Sequence, residues 1–208
     1  MSKPIELILP IDIDDVKGFL SHAEGEALFR CASTLAQGAI AVEIGSYCGK
    51  SSVYLGLGCK ATGSTLFAVD HHRGSEEHQP GEMFHDPQLV DDTGAFSTLA
   101  SFRKTIRAAD LDDSVIPVLS SSAQFARAWQ GELGLVFIDG GHSLDAALID
   151  YRSWAGFIAQ KGLLTIHDVY PGSEAGGQAP ITVYRLAMAS GLFKEVMSVD
   201  SLRVLERL

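Results

Sequence analysis

A chain of 208 residues, 46% hydrophobic and 20% charged, is long enough for one domain, residues 1–208, around a well-buried core. Its formal charge of −10, from 26 acidic against 16 basic residues, would repel a phosphate backbone, so nucleic acid is not an expected partner. No apolar run reaches the roughly 20 residues of a membrane helix, and Met1 to Pro10 makes a poor signal peptide. Cys31, Cys48 and Cys59 lack metal-type spacing, so a cytoplasmic protein with reduced thiols and no membrane partner is expected.

From Glu24 to Gln37 the apolar residues Ala27, Leu28, Cys31, Ala32 and Leu35 fall at helical spacing, and Gly38 is the expected stop. Residues 1–38 are therefore read as a helical cover, with a face that could support a homodimer. The stretch Ala39 to Ser52 is a continuous apolar run that ends in Glu43, passes through Gly45 and Gly49, and enters a helix over Lys50–Lys60 whose last turn is weakened by Gly56 and Gly58. Thr65–Asp70 reads as a second buried strand ending in an acid. Residues 71–94 lose periodicity and fill with histidine, glutamate, proline and glycine, which predicts a long lid loop beside that strand's end.

Phe96, Leu99, Phe102, Ile106 and Ala109 restore a helical period, and Ser114–Leu119 is a third strand. Pro117 inside it cannot donate to a ladder and argues for an edge position, a bulge or a short strand. Ser120–Gln124 forms a turn and cap before a short helix through Trp129, and Leu133–Asp139 is a fourth strand ending in a carboxylate. Ser143 caps a helix predicted to run to Ala159, Gly162 closes it, and Leu163–Asp168 is the fifth strand. Pro180 opens a last helix ending near Gly191, followed by strands at Phe193–Val199 and Leu202–Leu208. Strands alternating with helices predict an α/β, Rossmann-like, doubly wound and mostly parallel sheet with a C-terminal antiparallel hairpin.

Ligands bind such sheets outside the carboxyl ends of the strands, where Glu43, Asp70, Ser120 to Ser122, Asp139 and Asp168 stand together. Gly45 and Gly49 remove side chains where the backbone must bend, and the amides opening the next helix favour electron-rich groups. Glu43 is placed to receive a hydroxyl or ammonium group. Asp70 follows it by 27 residues, one βαβ step, the separation at which an acid grips ribose hydroxyls.

Glu43-Ile-Gly-Ser-Tyr-Cys-Gly-Lys-Ser-Ser52, Val69-Asp70, Phe137-Ile-Asp-Gly-Gly-His142 and Thr165-Ile-His-Asp168 together resemble class I S-adenosylmethionine-dependent methyltransferases. The nearest group is the small O-methyltransferases of catechol and macrocin type with an Ile-Asp-Gly-x-His signature. The resemblance covers roughly Glu24 to Val199 and includes the terminal hairpin. It implies an S-adenosylmethionine cofactor held at its methionine end by Glu43, Gly45 and Gly49, with Ser46, Tyr47 and Ser51 beside them. It further implies Asp70 and His71 at the ribose and Ser121 and Ser122 at the adenine edge. Tyr47 stands where many methyltransferases carry glycine, a departure the catechol-type enzymes share.

Asp139 and Asp168 end adjacent strands and could bind Mg²⁺, a pairing the resemblance also implies. Many relatives follow the fifth strand with Asp-Asp or Asp-Asn, whereas here His167 precedes Asp168 and Val169 follows it, so the pattern supplies no third oxygen ligand, and an imidazole would shift preference towards Mn²⁺, Fe²⁺, Ni²⁺ or Zn²⁺. His71, His72, His78 and His85 are further candidate ligands in the lid loop. His142 stands where catechol-type enzymes place a catalytic lysine. It is read either as the general base that takes a hydroxyl proton or as a residue orienting Asp139. The activity implied is methyl transfer to a small hydroxylated acceptor, with Trp129, Trp154, Phe84 and Tyr170 as candidate pocket walls. A non-haem metal-dependent hydroxylase and a non-catalytic S-adenosylmethionine-binding module are the alternatives on the same scaffold.

Overall fold

The computed structural model describes residues 5–75, 86–141, 143–172 and 177–208. Seven strands form one sheet: β1 (Ile40–Ile44), β2 (Thr65–Asp70), β3 (Val115–Leu119), β4 (Leu133–Ile138), β5 (Ile158–Ile166), β6 (Phe193–Val199) and β7 (Leu202–Arg207). Their order is β3-β2-β1-β4-β5-β7-β6. β1 to β5 run parallel, and β7 lies antiparallel to both β5 and β6. The predicted mixed sheet with its terminal hairpin is what the chain forms.

Among the described residues, six α-helices cover the faces: α1 (His22–Ala32), α2 (Lys50–Thr62), α3 (Leu99–Ala108), α4 (Ser122–Ala128), α5 (Leu144–Trp154) and α6 (Ala179–Ala189). One apolar layer packs α1, α2 and α3 under Leu66, Leu135 and Phe137, and the other packs α5 and α6 against Val136, Leu164 and Ile166. The chain reverses between β1 and β4, so the loops after those strands diverge and leave a crevice at the sheet's carboxyl edge.

Several boundaries differ from the sequence reading, each for a local reason. α1 stops at Ala32 because the Ser33 N–H turns back to Phe29 and Cys31; Leu35 keeps the helical spacing from a turn, where it packs on Gly134. Phe96 precedes α3, pairing in a bridge with Val90 and packing with Cys48 and Leu89. α5 ends at Trp154, not Ala159. Ile158 already pairs with Leu133, and the register shifts before the next pair, Leu135 with Leu163, so that β5 is irregular between Ile158 and Leu163, where Lys161 is left-handed (φ +65°). Pro117 sits on the outer strand, as an absent N–H requires. Gly56 and Gly58 do not end α2; a Cβ on Gly58 would lie 2.6 Å from that of Ala32, and one on Gly56 2.6 Å from Val115.

The α1–α2 approach is closest at Gly25, where a Cβ would come within 2.3 Å of the Tyr54 ring. That ring is 1% exposed, and its hydroxyl lies 2.9 Å from His22 Nδ1, so it has no free direction in which to yield. Gly25→Ala gains up to about 1 kcal/mol of helix propensity but overpacks at a cost of roughly 1–3 kcal/mol. A net loss is expected, lowering the melting temperature by about 2–6 °C. Thermal unfolding followed by circular dichroism tests this; an unchanged or raised midpoint would mean the two helices can separate freely.

Candidate functional site

The turn after β1 is built on left-handed backbone. Gly45 has φ +83°, Tyr47 +46° and Gly49 +92°, and Gly49 is the N-cap of α2. A Cβ on Gly45 would stand 2.1 Å from the Asp139 carbonyl oxygen, so only glycine lets this turn lie against the end of β4. Asp70, at the end of β2, holds the turn in place. Its Oδ2 accepts the Ser46 and Tyr47 N–H groups at 3.1 and 2.9 Å, and its Oδ1 accepts the His72 N–H at 2.7 Å. Each carboxylate oxygen has two acceptor directions, so these bonds leave capacity for a ligand hydroxyl.

Beneath the turn, Glu43 is completely buried. One carboxyl oxygen accepts from Ser52 Oγ, and Ser51 also hydrogen-bonds the group. Among the described residues, Glu43 Oε1 and the neighbouring Ser46 Oγ have no hydrogen-bond partner although both are buried. Burial pushes the Glu43 carboxyl up to about 8; the serine bonds work against that rise, and the Asp139 and Asp70 charges add to it. Two buried polar atoms at one glycine turn thus have hydrogen-bonding capacity that no described residue fills.

Beside it, β4 and β5 deliver a second group. One donor atom each from Asp139, His167 and Asp168 lie within 4.8 Å of one another. His167 Nδ1 is 3.1 Å from Asp139 Oδ1 and 3.5 Å from Asp168 Oδ1. Asp168 is left-handed (φ +56°), and the Tyr170 hydroxyl donates to its Oδ1 at 3.2 Å. The other imidazole nitrogen, Nε2, lies 3.1 Å from Glu24 Oε2. Burial disfavours the charged imidazole, but Asp139, Asp168 and Glu24 outweigh it and hold His167 well above the ordinary histidine range. Burial would likewise raise Glu24, yet the hydrogen bond and charge of His167 and the Ser201 hydroxyl bring it down to about 2. The donors fit a divalent ion: two carboxylates and one imidazole nitrogen converge, and the far side of the imidazole is tied to a carboxylate as metal-binding histidines usually are. A metal and a proton exclude each other at Nδ1.

The remaining predicted residues separate. His71 is exposed beside β2, and its Nδ1 accepts the Arg73 N–H at 3.1 Å. His72 is buried, with Nδ1 2.7 Å from Thr98 Oγ1, and burial lowers its pKa. Ser121 is the exposed N-cap of α4, whereas Ser122 turns inward, its Oγ accepting the Trp154 indole N–H at 2.8 Å. Trp154 is fully buried and belongs to the core, whereas Trp129 is partly buried and packs edge-on against Phe67. His78, His85, Phe84 and His142 lie outside the described residues. Glu24 escaped sequence reading. The Ser21-x-x-Glu24 spacing signals a capping box, which it forms, but nothing local announces that its carboxylate also reaches β5.

A family model described as a methyltransferase domain matches residues 42–169. Solved structures share the fold. The O-methyltransferase NovP superposes with a TM-score of 0.65 at 16% identity, over 89% of this chain and 79% of that one. The methyltransferase PaMTH1 of Podospora anserina, bound to S-adenosylhomocysteine, gives 0.63 at 15% identity, over 91% and 79%. An rRNA methylase from Streptococcus thermophilus gives 0.58 at 12% identity, over 92% and 99%.

The raised Glu43 pKa fixes the sign of a pH effect. Below its ordinary value of 4.5 the acid is neutral in both the folded and the unfolded chain. Between 4.5 and about 8 the unfolded chain releases the proton and the folded chain keeps it, so stability falls as pH rises through that window. Glu43→Gln is expected to gain on the parent protein by on the order of a few kcal/mol between the two ends of the window. Urea unfolding of both proteins at the two pH values measures it, and a pH-independent difference would show that Glu43 ionises normally.

Proposed function

The chain belongs to the methyltransferase-domain family, as an S-adenosylmethionine-dependent enzyme on the class I scaffold, and from that premise we propose that it methylates a hydroxyl of a small acceptor with help from a divalent metal. One observation carries the reading. The orphaned Glu43 Oε1 and Ser46 Oγ sit on a glycine turn that touches Asp139, so a polar cofactor end and a carboxylate centre share a wall.

In this reading Glu43, Gly45, Ser46, Tyr47 and Gly49 take the methionine end, and Ser51 keeps Glu43 oriented from within α2. Asp70 and His71 face the ribose, with Asp70 also fixing the turn, and Ser121 and Ser122 border the adenine. Asp139, His167 Nδ1 and Asp168 hold the metal, which supplies Lewis-acid polarisation of the acceptor hydroxyl when bound. The acceptor oxygen bonds to the methyl carbon while the carbon–sulfur bond breaks and its electron pair stays on sulfur. The hydroxyl proton leaves to a base, a role assigned to His142. Because the sulfonium is already activated, the protein's main contribution is alignment of oxygen, carbon and sulfur. The imidazole in the donor set favours Mn²⁺, Fe²⁺, Ni²⁺ or Zn²⁺ over Mg²⁺. The net charge of −10 supports a small molecule over nucleic acid as acceptor.

Calorimetry with S-adenosylhomocysteine is expected to show binding that Asp70→Ala weakens by about ten-fold or more, a loss worth roughly 1.4 kcal/mol or more. Asp139→Ala and Asp168→Ala should keep that binding and lose turnover on a panel of phenols and sugars, followed as S-adenosylhomocysteine release. Absence of binding by folded protein sinks the cofactor assignment, and full turnover in excess chelator sinks the metal.

A further inference from the structure

Glu24 carries four hydrogen bonds, and none of the roles above uses it. It lies at the third position of α1, is 3% exposed, and fills both oxygens. Oε1 accepts the Ser201 N–H at 2.9 Å and the Ser201 hydroxyl at 2.7 Å; Oε2 accepts the Ser21 N–H at 3.0 Å and faces His167 Nε2 at 3.1 Å. All four partners can donate, so the carboxylate is held through both oxygens. His167, 4% exposed, can then present only Nδ1 to Asp139 and Asp168.

We propose that Glu24 is a positioning residue for the Asp139–His167–Asp168 centre: by holding Nε2 it fixes the imidazole's tautomer and direction, so that Nδ1 serves as the nitrogen ligand of a divalent cation. The inference rests on the metal reading of that centre and extends it to the N-terminal helix. It also ties the centre to the β6–β7 turn, because Ser201 supplies two of the four hydrogen bonds that hold Glu24. An acid in this outer position raises the basicity of the ligating nitrogen, and removing such a partner typically lowers metal affinity by about 10–100-fold.

The test is Mn²⁺ titration of the metal-free full-length protein, with bound ion read by electron paramagnetic resonance and S-adenosylhomocysteine calorimetry run in parallel. The unmodified protein should bind Mn²⁺, and Asp139→Ala and Asp168→Ala should abolish that binding. Glu24→Gln keeps the side-chain volume but presents an amide N–H₂ to groups that are themselves donors. It should weaken Mn²⁺ by roughly 10–100-fold and Mg²⁺, which leans on carboxylates, by less. S-adenosylhomocysteine affinity should stay within about two-fold of the unmodified protein, a change under roughly 0.5 kcal/mol.

Mn²⁺ binding by Glu24→Gln as tight as in the unmodified protein overturns the inference and leaves the metal reading standing. No Mn²⁺ binding by the unmodified protein overturns both. Should Glu24→Gln not fold, Ser201→Ala carries the test. It deletes the hydroxyl that donates to Oε1 and that also hydrogen-bonds Tyr170, so Tyr170→Phe is titrated beside it; Ser201→Ala is expected to weaken Mn²⁺ by roughly three-fold and by more than Tyr170→Phe does, and unchanged affinity, or a loss no larger than that of Tyr170→Phe, overturns the inference.

Discussion

Burying the carboxylate of Glu24 obliges three distant pieces of chain to meet. A buried ionised group costs several kcal/mol unless each lone pair finds a donor, and the four donors here come from the start of α1, the end of β5 and the β6–β7 turn. Such an arrangement is weak evidence for net stability, because desolvation offsets most of the Coulomb gain. It is strong evidence for a fixed geometry, since losing any one partner leaves an uncompensated charge in the interior. The N-terminal helix and the C-terminal hairpin are thereby locked to the same end of the sheet, the end at which β1, β2, β4 and β5 present their acids.

Two buried glutamates at that end show how partners decide ionisation. Both side chains are buried, Glu43 the more deeply, and one is held at about 2 while the other is pushed up to about 8. Glu24 receives a cationic imidazole and three further donors. Glu43 receives only serine hydroxyls, with the Asp139 and Asp70 charges nearby, and keeps one oxygen without a partner. The first is a finished structural unit. The second is unfinished, which is what a residue reserved for a ligand's polar end should look like in a chain without that ligand.

Much of this was legible in the chain because its carriers are local. Apolar runs ending in Asp70 and Asp139 are strands with their acids at the carboxyl edge, and Gly45 marks a turn that only glycine can make. Pro117 narrowed its strand to an edge, a bulge or a short run because a missing N–H is a property of one residue, and the edge is what forms. What escaped was long-range. Ile158 continues the periodicity of α5, yet it belongs to β5, since its partner Leu133 lies 25 residues earlier in sequence. Gly56 and Gly58 read as helix weakness, while their purpose is contact with Val115 and Ala32. Trp154 read as a possible pocket wall and instead fills the core, its indole N–H satisfied by Ser122. Glu24 reads as a helix cap, which it is, and its second partner stands 143 residues away.

The contact between Gly45 and the Asp139 carbonyl joins the two halves of the site mechanically. With no Cβ between them, the turn that would hold the cofactor and the strand end that carries Asp139 cannot shift independently, and Asp139 N–H is bonded to the Ile44 carbonyl at 2.9 Å. Asp70 pins the same turn from the other side through the Ser46 and Tyr47 amides. Methyl transfer from an activated sulfonium demands little acid–base power and much alignment, so the useful property of such a site is a fixed separation between donor and acceptor groups. Here that separation is set by backbone: a glycine that permits contact and a strand pair that enforces register. Side chains then choose which acceptor is aligned, while the scaffold has already decided where alignment takes place.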